Sequence, residues 1–290
     1  MAASKAGGSA RDWSHYSVAG RGYGIELLRA HFARHVYERH SHEGYAIGVT
    51  EAGAQAFNYR GSHHVSTARM AIALNPDEPH DGHAGDEHGF TYRMLYLDPQ
   101  ELLCRIADWR EGGRSQLPYA AEPVIDDRPL ARRVTALHQA LSEGAPRLEC
   151  DALLDDMVLR FAELAREPCA LPRRAGGRTS DAALRRVRDY LEDADLAEDV
   201  GTGELAQLAG MSRFHLCRSF RAAYGLPPHA YRLQRRLAAA KALLARGDKP
   251  ADVAAALGFA DQSHLHKRFK GAFGITPGQF AAAAAVRQQA

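Results

Sequence analysis

The sequence predicts two domains: an N-terminal all-β barrel followed by helices, and a C-terminal all-α domain with two helix-turn-helix units. Three observations lead there. Residues 24–98 are short alternating or apolar runs broken by turn residues, the texture of an antiparallel sandwich or barrel. After Pro99 the apolar spacing lengthens to that of amphipathic helices. Finally, one pattern occurs twice in residues 201–290. Leu216, Phe220, Gly225, Pro228 and Tyr231 recur 49 positions later as Leu265, Phe269, Gly274, Pro277 and Phe280, while Leu205, Ala206 and Gly210 recur 48 later as Val253, Ala254 and Gly258. Two copies are too few for a stacked solenoid, so they read as paired modules of one domain.

With 290 residues, 46% hydrophobic and 25% charged, the chain has the composition of a soluble globular protein with room for two cores. Its net charge of +2 conceals an asymmetry: residues 201–290 hold 13 Lys and Arg against 4 Asp and Glu. A basic C-terminal module on an acidic remainder is the electrostatic footprint of nucleic-acid binding. Residues 1–15, rich in Ala, Gly and Ser, read as a disordered lead-in without the apolar core of a secretory signal. No run approaches the roughly 18 to 20 apolar residues of a membrane span, so no membrane partner is expected. Cys104, Cys150, Cys169 and Cys217 form no C-x-x-C pair, which argues against a zinc site or a disulfide framework. A cytoplasmic location is the simplest expectation.

Taken in order, residues 16–167 form the first domain. Strands are expected at 45–50, 55–59, 70–74 and 90–97, separated by turns at 51–53, 60–62 and 75–79. Helices follow at 130–141 and 148–164, each with an apolar stripe that either covers the barrel or pairs with another subunit. The second is the better candidate for dimerisation. Pro168, Pro172 and the run from Arg173 to Arg178 mark a linker over 168–179. The second domain then occupies 180–290, opening on a helix that Ser180 can cap.

In the first repeated unit Thr202 is placed to cap a helix through Leu205, Ala206 and Leu208, and Gly210 supplies the turn. Ser212 caps a second helix that buries Leu216 and Phe220 and turns Arg213, Phe214, His215, Cys217, Arg218 and Arg221 outward. In the second unit Pro250 starts the first helix, Gly258 turns the chain, and Asp261 takes the capping place of Ser212. The next helix buries Leu265 and Phe269 and presents Gln262, Ser263, His264, His266, Lys267, Arg268 and Lys270. Glutamine matches adenine edges, Lys and Arg match guanine or phosphate, and a serine at a helix start matches phosphate. Between the units, a helix over 228–245 would span roughly 27 Å at ~1.5 Å per residue. Successive major-groove faces lie about 34–36 Å apart, so a rigid connector of that length can set the separation. Gly247 ends it.

Residues 202–231 and 250–280 resemble the paired helix-turn-helix domain of the AraC/XylS transcriptional regulators. The most specific stretch is Gly258-Phe259-Ala260-Asp261-Gln262-Ser263-His264-Leu265, followed by Phe269, Phe273-Gly274 and Thr276-Pro277. The resemblance implies base contacts from Phe214, Cys217 and Arg218 in the first unit and from Gln262, His264, His266 and Lys267 in the second. Arg213 and Ser263, beside them, join the expected DNA-binding set. Because Phe214 and Cys217 offer little hydrogen bonding, the second unit is expected to carry more of the base readout.

Nine of the fifteen histidines lie between positions 31 and 88. His40 and His42 share a face of a strand, and His80 follows the turn at 75–79. Neutral imidazoles on one inner face can bind a transition metal or hydrogen-bond a polar ligand. With the strand texture, this resembles the cupin-like, arabinose-binding-type sensing domain found in many AraC-type regulators. The metal-cupin pattern is only partly matched: Ala46 or Ile47 stands where an acid is expected, and the glycine ahead of the first histidine is absent. The expected occupant is therefore an organic effector without metal or other cofactor; a catalytic metal, and histidines that merely serve the core, are the alternatives. Phe90, Tyr92, Met94 and Tyr96 alternate along one strand face, as barrel core or as a pocket wall where Tyr92 orients a ligand. His40, His42, His80 and Tyr92 form the expected ligand-binding set.

The expected whole is a ligand-responsive transcription factor without catalytic residues, acting as a homodimer on double-stranded promoter DNA. Its further partners would be a small-molecule effector and, for an activator, RNA polymerase. The competing readings are a metal-dependent cupin enzyme fused to a DNA-binding module and a ligand-independent regulator.

Overall fold

In the computed structural model, which describes residues 11–19, 23–109, 117–165 and 178–289, eight strands run in succession. They are β1 (Trp13–Val18), β2 (Glu26–Phe32), β3 (Tyr37–His40), β4 (Tyr45–Tyr59), β5 (Ser62–Thr67), β6 (Ala71–Leu74), β7 (His80–Ala84) and β8 (Phe90–Leu97). Helix α1 (Pro99–Trp109), the short β9 (Val124–Ile125) and helices α2 (Arg128–Glu143) and α3 (Arg147–Leu164) complete this unit. All pairings are antiparallel, in the order β1-β2-β8-β4-β6-β9, with β7 joining β3 to β4 and β5 pairing with β4.

Strand β4 belongs to both layers. Its first half pairs with β8 and β6, its second with β5 and β7. The crossing falls where the register with β8 shifts between Thr50 and Ala52, and Gly53 there adopts φ +72°. Residues 51–53, expected as a turn between two strands, are instead a bulge within one 15-residue strand. A bulge sharpens the local twist, which lets a strand turn a corner without ending. The expected lead-in is corrected too. Residues 1–10 lie outside the described residues, but β1 already begins at Trp13, paired with His31 of β2. Ahead of it the Asp12 carboxylate accepts hydrogen bonds from Ala33 N and Arg34 N, at 2.7 and 3.1 Å.

Strand alternation divides the side chains between two faces. Leu27, Ile47, Val49, Ala73, Leu95 and Leu97 face outward from the barrel and pack against Leu130, Val134, Leu137, Leu154, Val158 and Phe161 of α2 and α3. Each fully buried side chain of this kind contributes about 1.5–3 kcal/mol. The apolar stripes of both helices thus cover the sheet, which decides the choice left open for them. Helix α2 is held at its ends by the Asp127 carboxylate, which accepts from Leu130 N at 2.7 Å, and by Gly144 at φ +69°.

The chain divides into two compact units after Pro168. Most of the expected linker lies outside the described residues. In the second unit, α4 (Arg178–Asp193) starts earlier than expected, so Ser180 stands within its first turn rather than ahead of it. Then follow α5 (Thr202–Ala209), α6 (Arg213–Tyr224), α7 (Pro228–Ala245), α8 (Pro250–Ala256), α9 (Gln262–Phe273) and α10 (Pro277–Gln289). Thr202 is likewise inside its helix; the cap of α5 is Gly201, which makes no side-chain bond. Ser212 and Asp261 do cap α6 and α9, accepting from His215 N at 3.2 Å and His264 N at 2.7 Å. Leu184, Val187 and Leu191 of α4 pack with Leu205, Leu216 and Phe220 to form the first helical core. Helices α1 and α10 have no counterpart in the sequence reading. No helix among the described residues is long and apolar enough to cross a membrane.

Candidate functional site

The two repeated units place their second helices alike: Leu216 and Phe220 of α6, and Leu265 and Phe269 of α9, are fully buried. Helical periodicity then forces the intervening residues outward. On α6, Arg213, Phe214, His215, Arg218 and Arg221 are exposed, Phe214 by 77%, while Cys217 is half-buried. The Arg213 guanidinium lies against Gly203 at the start of α5, where a Cβ would come within 2.8 Å of it. Phe214 thus stands as an open apolar ring among arginines.

On α9, Gln262, Ser263, His266, Lys267 and Lys270 are exposed. His264 differs. It is half-buried and packs edge-on against Phe259, with ring centroids 5.6 Å apart. Its Nδ1 and Nε2 lie 3.3 Å from Ala260 N and 3.4 Å from Arg268 Nε, and a neutral imidazole can accept at only one of them. The structure thus engages His264 in holding the turn, a use that the spacing of outward positions did not reveal.

Not every cation of the basic module is available to a ligand. Arg232 of α7, buried, donates to Asp195 O and Glu198 O at 2.5 and 2.7 Å. Arg235 donates to Leu191 O and Arg236 to Leu196 O, both at 2.7 Å. These three arginines satisfy carbonyls at and beyond the end of α4, so charge counting overstated the free positive surface. The exposed cations that remain sit mainly on α6 and α9.

In the first unit the inner faces of the strands enclose a cavity lined by Tyr37, His40, His42, Gln55, Phe57, Ile72, Leu74, His80, Asp81, Tyr92, Met94 and Tyr96. All four expected ligand-binding residues are there. His40 and His80 are direct cross-strand partners of β3 and β7, with ring centroids 4.4 Å apart; His42 lies 4.8 and 5.1 Å from them. One nitrogen from each of the three lies within 4.8 Å of the others, so these are the residues that could hold a metal. His40 Nδ1 approaches Glu38 O at 2.7 Å and His80 Nδ1 approaches Glu78 O at 3.0 Å. A carbonyl only accepts, so both rings carry their proton on Nδ1 and keep Nε2 as the lone-pair nitrogen. Burial pulls His40 well below the usual histidine range and His80 down to about 4, so both are neutral near pH 7.

Tyr92, Met94 and Tyr96 form one wall, and Phe90 is buried outside it. The Tyr92 hydroxyl pairs with that of Tyr37 at 2.5 Å, and burial raises both phenols. Tyr37, Gln55 and Asp81 were not anticipated. Gln55 shares the inward parity of Phe57 in the expected strand at 55–59, a signal present in the sequence; Tyr37 and Asp81 lie in short strands too weakly patterned to find.

A barrel with an interior site, joined to two helix-turn-helix units that expose cationic second helices, defines a ligand-sensing DNA-binding protein. Residues 22–158 match the AraC-like ligand-binding domain and residues 205–283 match a helix-turn-helix domain. The chain belongs to the AraC family of transcriptional regulators. It is 28% identical over 245 residues to the uncharacterized HTH-type transcriptional regulator YbfI of Bacillus subtilis, covering 83% of this chain and 86% of that one. It is 25% identical to the arabinose operon regulatory protein of Salmonella typhimurium, over 83% and 84% of the two chains. Among solved structures, unsaturated fatty acid-bound ToxT from Vibrio cholerae is similar in fold, with a TM-score of 0.53 at 9% identity, over 89% of this chain and 94% of that one.

Proposed function

We propose that this regulator binds promoter DNA through the exposed faces of α6 and α9, and that a small effector seated among His40, His42, His80 and Tyr92 biases that binding. The observation that carries the first part is the pair of equivalent helices whose buried Leu and Phe turn Arg213, Phe214, Arg218, Gln262, Ser263, His266 and Lys267 to solvent. Polar α9 would supply most of the base contacts and α6 would chiefly dock on the backbone. Cys217 and His264, half-buried, would contribute at the margin of each contact. The work of the barrel is binding rather than catalysis, and the chain acts in the cytoplasm.

An effector shifts only an equilibrium between states that it binds unequally, so the bound barrel must favour one arrangement of DNA-binding units over another. A homodimer would present four such units. We place its contact on the outer side of α3, where Leu148 is 82% exposed while the inner stripe is buried. The bound fatty acid of ToxT supports a barrel occupant in general but names none for this cavity. RNA polymerase becomes a partner where the regulator activates. The test is promoter-DNA affinity of the full chain, measured with native protein and with Phe214→Ala and Gln262→Ala. Unchanged affinity and sequence preference in both variants would refute the assignment.

A further inference from the structure

Gln55 of β4 shares the inward parity of Phe57, lines the cavity and is only 7% exposed, yet its Oε1 has no hydrogen-bond partner among the described residues. A buried amide oxygen without a donor costs stability, and Leu or Met would fill the same space without that cost. A polar group at this position therefore calls for a ligand. Tyr37 and Tyr92 stand in the same lining, and their hydroxyls share one hydrogen bond. That bond uses one of their two O–H protons and leaves the other to be donated. Neither Lys nor Arg lines the cavity, and burial keeps His40 and His80 neutral near pH 7. The carboxylate in the lining, Asp81, accepts from Asn58 N and Nδ2 at 2.7 and 3.1 Å. An anion entering here would meet negative charge without a Lys or Arg to pair with it.

We infer that the cavity selects a small neutral molecule with an amide edge, an N–H beside a C=O, which pairs with the side chain of Gln55. This deepens the effector-site reading above and rests on it. Such a ligand meets Gln55 as one amide meets another: its N–H donates to Oε1 while its C=O accepts from Nε2, two bonds in one plane. A carboxylate of the same shape has no proton for Oε1, and an amidinium has no acceptor for Nε2. The unused tyrosine proton is available to the second lone pair of the ligand carbonyl. Apolar Phe57, Ile72 and Leu74 in the lining suit a methyl group or short hydrocarbon beside the amide. Space sets the size. About 30 Å³ is open to the centre of a water molecule, which corresponds to roughly two or three waters. A long carboxylate is therefore excluded by both length and charge.

Acetamide, acetate and acetamidinium share one shape and differ in charge, so they are the probes. Each is titrated into the full chain and followed by saturation-transfer NMR, which detects the weak binding expected of so small a ligand. Acetamide should bind saturably and at least tenfold tighter than either ion. Gln55→Leu should weaken acetamide binding at least tenfold while leaving the thermal midpoint of the ligand-free chain unchanged or raised, because an unpaired acceptor is removed. Gln55→Met serves if that variant does not fold. His63→Ala, exposed on β5, should leave binding unchanged. No saturable binding of acetamide, binding indifferent to both Gln55 variants, or acetate or acetamidinium binding as tightly as acetamide would each overturn the inference. A midpoint lowered in both variants would do so too, by assigning Gln55 to the core. Promoter-DNA affinity measured alongside separates the two claims. Acetamide held through Gln55 without any change in DNA affinity contradicts the effector reading alone, whereas a DNA response to an organic acid in a chain that does not bind acetamide contradicts the amide site alone.

Discussion

Single residues on α6 and α9 differ in what they offer to a base edge. Phe214 presents an apolar ring, while Gln262 and Lys267 present groups that match adenine and guanine. Replacing Lys267 with Ala should reduce the salt dependence of DNA binding by about one counterion if it contacts phosphate, and should change sequence preference if it contacts a base. Fluorescence anisotropy across a salt series decides which; no change in either quantity would displace Lys267 from the interface. Asp261 acts one step back, by accepting from His264 N at the start of α9. Its replacement by Ala should cost about 1 kcal/mol in urea unfolding, whereas an unchanged midpoint would mean that the cap contributes nothing.

Among elements, the two helix-turn-helix turns share a glycine but differ around it. Gly210 and Gly258 both adopt left-handed φ, +64° and +68°, yet a Cβ on Gly210 would meet nothing within 4 Å, while one on Gly258 would lie 2.7 Å from Ala197 O and 2.9 Å from Ala197 Cα. Gly210→Ala should therefore cost only the left-handed strain, roughly 1–2 kcal/mol, and Gly258→Ala distinctly more, because backbone must move. Equal losses in thermal unfolding would contradict this. Helix α2 contributes to the acid sensitivity of the sheet unit, beside His40 and His80 of the strands. His138 is buried, and burial, reinforced by Arg93, holds it down to about 4 from an ordinary 6.5. As pH falls below 6.5 the unfolded chain takes up this proton and the folded chain does not, so the His138 contribution to stability declines until about pH 4 and then levels. His138→Leu should flatten the pH dependence of the unfolding free energy in that window by up to ~1.4 kcal/mol per pH unit. Parallel slopes would show that His138 does not couple to folding.

These elements also show why part of the fold could be read in advance. Ser212, Asp261, Pro250 and the turn glycines act within a few residues of their own position, so the helical units announced themselves. The sheet did not. Its 15-residue β4 resembles two strands because the bulge at Thr50–Ala52 carries Gly53, and whether such a glycine bends or ends a strand depends on β8 beside it. His40, His42 and His80 were legible as a cluster from the two-residue spacing of the first pair and the turn ahead of the third, although β3 ends at His40 and His42 lies beyond it rather than on a shared strand face. Tyr37 and Asp81 joined them only through the β3–β7 pairing. The carbonyls that occupy Arg232, Arg235 and Arg236 likewise depend on contacts distant in sequence, whereas His264 is engaged by Phe259, Ala260 and Arg268 within five positions of it.

At the scale of the whole chain, an AraC-like barrel and a basic helical domain share one polypeptide, so occupancy of the first can change the DNA affinity of the second without a separate messenger. The proposed homodimer predicts a sedimentation coefficient that falls on dilution and falls further for Leu148→Glu; a single concentration-independent monomer would exclude it. The most direct test of the central claim, that α6 and α9 together read promoter DNA, is genome-wide mapping of the sites bound by the native chain and by a Phe214→Ala, Lys267→Ala double variant. Discrete promoter-proximal sites with a shared sequence are expected for the native protein, and their loss or redistribution for the variant. No enriched sites, or an identical set for both proteins, would contradict it.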